Sequence, residues 1–150
     1  MKNWKGITTR KSGQEISLTD LDNGELAQRI EVIEKAYEYM LAYAAQGYEA
    51  SHEAQQNNDV RLHLDAMNEA LDNLGEIAKA LSIKVDEDNS GAYQSFLEAL
   101  SDDAKKTQGI VRLTLARSGI SSQLIDNLNA SIHVRALLTD LFLLDEALKN

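Results

Sequence analysis

A chain of 150 residues that is 43% hydrophobic and 26% charged has the balance of one ordinary globular domain. With no cysteine it has no disulfide, thiolate metal site or cysteine nucleophile, and no apolar stretch approaches the roughly 20 residues a membrane-spanning helix needs. The absence of proline beside abundant Ala, Leu, Glu and Gln predicts an all-α fold, and a net charge of −9 disfavours nucleic-acid binding by the body of the protein.

The charge is uneven. Residues 1–48 carry 6 basic and 7 acidic groups, residues 49–103 carry 3 and 13, and residues 104–150 carry 6 and 4. The acidity belongs to the middle third, more concentrated than solubility requires.

The opening stretch, residues 1–22, has β-branched residues on both sides of Lys11-Ser12-Gly13-Gln14 and reads as a short β-hairpin or extended arm packed on the body. It carries Lys2, Lys5, Arg10 and Lys11 before its first acid, Glu15, too small a basic patch to predict direct nucleic-acid binding. No apolar core follows its lysines, so no secretory signal is expected. The expected setting is the cytoplasm of a prokaryote, or a phage that infects one.

Residues 23–150 read as an antiparallel four-helix bundle. The first helix starts at Asn23, a good N-cap, and carries a seam at Leu26, Ile30, Ile33, Tyr37, Met40, Ala44, Gly47, Ser51 and Ala54. After Asn58 a second helix repeats the pattern through Val60, Leu64, Met67, Leu71, Leu74, Ala78 and Leu81. A third runs from about Gly91 to Ser118, with a candidate break at Ser101 and Gly119 as a left-handed C-cap. The fourth starts after Ser121 or Ser122 and continues nearly to the end.

The loop "VDEDNSGAYQSFLEAL", residues 85–100, resembles an EF-hand over its first half: Asp86, Asp88 and Ser90 stand at positions 1, 3 and 5, with Gly91 at 6. It departs where the strongest ligand belongs, because position 12 is Leu97 and Glu98 comes one residue late, about 100° round a helix. A polar turn explains the same letters, and no cofactor or metal is expected. Glu49 and His52 have the Glu-x-x-His spacing of di-metal bundles, but Val60 and Ala130 stand three residues before His63 and His133, so no second pair completes such a site. Phosphate loops and nucleophile elbows are absent, and nothing predicts an enzyme.

Two surfaces are candidates for function. Asp65, Glu69, Asp72 and Glu76 follow steps of four, three and four and form one acidic stripe, extended by Glu49 and Glu53. Such a face suits docking of another protein through its basic surface. In the last helix Leu138, Leu141, Phe142, Leu144 and Leu148 belong to an apolar run wider than a bundle needs. With Tyr39 and Tyr43 it predicts a homodimer contact, unless the N-terminal arm covers it. The favoured reading is a non-enzymatic acidic module that binds a protein, of the inhibitor, immunity, anti-defence or adaptor kind. The competing reading is a metal-binding (calcium or di-metal) or catalytic helical bundle around the Asp86 loop or His52.

Overall fold

A computed structural model describes residues 18–51, 55–85 and 90–147, and among them every regular element is a helix. In chain order these are α1 (Leu18–Ala44), α2 (Gln55–Leu71), α3 (Leu74–Val85), α4 (Ser90–Leu115), α5 (Ser122–Asn129) and α6 (Ile132–Ala147). The expected hairpin at 1–22 falls mostly outside the described residues; its last five positions belong instead to α1.

Among the described residues six helices stand where four were expected, because the second and the fourth each break in two; the first also stops early. α1 ends at Ala44, and Gly47 turns the chain with a φ of +72°, a conformation glycine adopts without the Cβ penalty. The expected seam beyond it, Gly47 and Ser51, lies in a connecting loop. α2 gives way to α3 at Asp72-Asn73, where Asn73 sits at a φ of 58°, the left-handed region that Asn tolerates better than most residues. α5 ends at Asn129, and Ser131 starts α6 by accepting the His133 N–H at 3.2 Å. α5 itself starts as expected, with Ser121 Oγ accepting the Leu124 N–H at 3.0 Å.

α4 runs unbroken through Ser101. Gly119 is not a left-handed cap, since Gly47 is the one glycine with positive φ among the described residues. It is needed for space: a Cβ there would lie 2.7 Å from the Ala50 carbonyl oxygen. Gly75 lets α3 approach α4 in the same way, with Ser101 Cβ 2.5 Å from where its own Cβ would be.

The two long helices organise the rest. α1 packs on α2, α3 and α5; α4 packs on α2, α3 and α6. The α2–α3 seam is buried throughout, with Val60, Leu64, Met67, Ala78 and Leu81 fully enclosed. Each of the Val, Leu and Met side chains contributes about 1.5–3 kcal/mol by leaving water. On α1 the buried positions are Leu26, Ile30, Ile33, Ala36, Met40 and Tyr43. The expected heptad assigned Tyr37 and Ala44, which are only half-buried; the buried face turns instead through Ala36 to Tyr43, whose hydroxyl is held in the core by the Ile120 carbonyl.

Candidate functional site

On α2, Asp65 and Glu69 are exposed, as are Asp72 in the turn and Glu76 in the first turn of α3. Glu49 is exposed in the loop after α1, and Glu53 lies outside the described residues. The break at Asn73 divides the expected stripe. Asp65, Glu69 and Asp72 form its purely acidic part. Glu76 borders a groove of about 230 Å³ against α4, where Lys79 and Lys105 mix with Glu98 and Asp102.

Arg29 of α1 underlies the acidic part. Its guanidinium donates to the Ala70 carbonyl at 3.3 Å and to the Asp72 carbonyl, and it pairs with the Glu25 carboxylate at 2.7 Å. It thereby caps the C-terminus of α2, where a cation offsets the exposed carbonyl dipoles. Arg61 does the same for α4, donating to the carbonyls of Leu115 and Arg117. Neither contact was read from the sequence; the Glu25–Arg29 spacing of four was its only local trace.

The expected oligomer residues separate sharply. Leu138, Leu141, Leu144 and Tyr43 are buried in the monomer core and present no surface, Tyr39 is half-buried, and Leu148 lies outside the described residues. Among the described members of the set Phe142 alone is exposed, at 57%, next to Leu143 at 55%. Tyr39 stacks flat on His63 of α2, with ring centroids 3.8 Å apart, so it ties α1 to α2.

Tyr43 belongs to a buried polar network that joins the α1–α2 and α4–α5 connections. Its hydroxyl donates to the Ile120 carbonyl at 2.6 Å and accepts from Asn57 Nδ2 at 3.2 Å. Ser122 Oγ donates to the Tyr43 carbonyl at 2.6 Å and accepts the Tyr48 N–H at 2.8 Å. Asn129 Nδ2 donates to the Met40 carbonyl at 3.1 Å.

α6 packs on α4 and not closely on α1, which leaves a groove of about 570 Å³ between α1 and α6. Ile30 and Leu141 lie at its base, Phe142 stands in its wall, and Glu31, Glu34 and Asp145 supply carboxylates. Burial pushes the Glu34 carboxyl above its ordinary range, helped by Asp145, Glu38 and Glu31 nearby. Among the described residues neither Glu34 nor Asp145 has a cation within 4 Å, and Asp145 Oδ1 is shielded from water without a hydrogen-bond donor.

No protein-family model, curated protein or solved structure matches the chain.

A second carboxyl pair lies between α4 and α6. Burial pushes Asp140 up to about 7, helped by the Asp103 carboxylate beside it as an acceptor, and Asp140 Oδ2 is shielded from water without a hydrogen-bond partner. Neither residue lines the α1/α6 groove or the groove beside Glu76.

Of the calcium-like loop, residues 86–89 lie outside the described set, as does His52. Leu97 is buried and Glu98 exposed, so the two point to different faces of α4. Among the described residues no group of three His, Asp or Glu side chains is placed to hold a metal, and no helix is long and apolar enough to cross a membrane.

Proposed function

We propose that this protein is a non-enzymatic, acidic helical module of the cytoplasm that binds another protein through its basic surface, in the manner of an inhibitor, immunity factor, anti-defence protein or adaptor. Asp65, Glu69 and Asp72 form the docking face, with the exposed Glu49 and Glu76 beyond it; the remaining candidate, Glu53, lies outside the described residues. The observation that carries the proposal is that Asp65, Glu69 and Asp72 are exposed side by side without an ion-pair partner among the described residues. Carboxylates left in that state repel one another, and a basic surface relieves the repulsion while steering its own approach.

The test is retention of a partner from native host extract by the wild-type protein and by Asp65→Lys/Glu69→Lys. Both side chains are exposed on α2, so the fold survives the change. The proposal expects a protein held by the wild type and lost by the charge-reversed form. Equal retention by both forms makes the stripe a solvated face.

A further inference from the structure

The groove between α1 and α6 is a different surface from the α2 face, and it calls for a different occupant. Its apolar part, Ile30, Leu141 and Phe142, is topped by the carboxylates of Glu34 and Asp145. Its complement is a short segment with an aromatic or aliphatic side chain among lysines and arginines. This chain contains such a segment at a fixed tether. Residues 1–17 hold Trp4, Ile7, Lys2, Lys5, Arg10 and Lys11 against a single acid, Glu15.

They also lead directly into α1, whose first half forms one wall of the groove. We propose that residues 1–17 fold back into the α1/α6 groove of their own chain, setting Trp4 on its apolar part and their basic side chains against Glu34 and Asp145.

Reach does not limit this. Seventeen extended residues span up to about 55 Å, whereas the groove from Gly24 to Glu34 follows about 15 Å of helix. Tethering raises the local concentration of the segment to the order of millimolar. A second copy of the chain has no such tether, carries the same net charge of −9, and in a two-fold contact would set this groove's carboxylates against themselves. The charge complementarity and the tether both favour the arm. The proposal stands independently of the α2 docking face, whose reversal leaves the groove intact.

Trp4 is the only tryptophan, so its fluorescence reports the arm alone. In the full chain its emission is expected to be blue-shifted and protected from acrylamide quenching. Phe142→Asp and Glu34→Lys should each shift the emission to the red and raise the quenching constant several-fold. Leu113→Asp, on an exposed site of α4, should leave both unchanged. Helical circular dichroism identifies any variant that fails to fold, and the other groove variant then carries the test. Three results would each overturn the proposal: Trp4 as quenchable as the free amino acid, protection insensitive to both groove variants, or protection lost on dilution. The last of these assigns the groove to a second copy.

Discussion

Asn57 and Ile120, 63 positions apart, exchange two hydrogen bonds in the core: the Ile120 N–H donates to Asn57 Oδ1 at 2.7 Å, and Asn57 Nδ2 donates to the Ile120 carbonyl at 3.3 Å. The Asn57 side chain, fully buried in the first turn of α2, thus satisfies both backbone groups of a residue that belongs to no helix.

Asn57→Ala should therefore cost more than one lost hydrogen bond. It strands the Ile120 N–H and removes a donor from the Tyr43 hydroxyl, a penalty of about 2–4 kcal/mol in urea unfolding. A change under about 0.5 kcal/mol, the usual range for a surface substitution, would show that water replaces the amide freely.

The two loop glycines should respond unequally. Gly47→Ala meets only the left-handed backbone penalty of about 1–2 kcal/mol, because nothing lies within 4 Å of its added Cβ. At Gly119 the backbone of Ala50 stands in the way, so Gly119→Ala must move one loop off the other and should lower the melting temperature further. The reverse order would contradict the close approach.

The pH dependence of stability follows from Asp140. Its folded-state value of about 7 lies above the ordinary 3.8, so between these limits the folded chain holds a proton the unfolded chain has lost. Stability is fully present below about pH 4 on this account and falls as pH rises through 7. Glu34, raised by burial, acts in the same direction. Allowing for solvent screening, the Asp140 part is on the order of 1 kcal/mol. Asp140→Asn keeps a donor toward Asp103 and should flatten the slope between pH 5 and pH 8, measured by thermal unfolding at about ten pH values. An unchanged slope would remove Asp140 as its source.

For the loop at Asp86, millimolar calcium and chelator should give the same thermal midpoint, since a ligand bound only by the folded state raises it. Leu97, where the bidentate glutamate belongs, is committed to the core. A calcium-dependent rise abolished by Asp86→Ala would reinstate the metal reading.

Core positions were legible wherever the apolar spacing persisted. Leu71, Leu74, Ala78 and Leu81 are all buried as the pattern predicts. The same persistence hid the α2–α3 break, because the step of three from Leu71 to Leu74 suits both a continuous helix and one interrupted at Asn73. Asn73 followed by Gly75 was the available signal. The exposure of Asp65 and Glu69 was also legible, since their stripe is turned about 100° away from that seam. Arg29 beneath the α2 carbonyls, Asp140 beside Asp103, and Asn57 around Ile120 were not, since each joins residues distant in sequence through the packing of separate helices.

The pairing of Tyr48 with Ser122 gives the molecule something that a census of helices omits. The Ser122 N–H donates to the Tyr48 carbonyl at 2.9 Å while the Tyr48 N–H bonds Ser122 Oγ, and Gly119 lies against Ala50 beside them. Two connections that would ordinarily exchange their amide hydrogens within seconds are thereby sutured to each other. The amides of Tyr48 and Ser122 open only when the loop after α1 parts from the start of α5, and that of Ile120 only when it leaves Asn57 of α2, so their deuterium uptake is expected to keep time with the core rather than with the surface. At this end of the protein, the loops are expected to keep the same time as the helices they join.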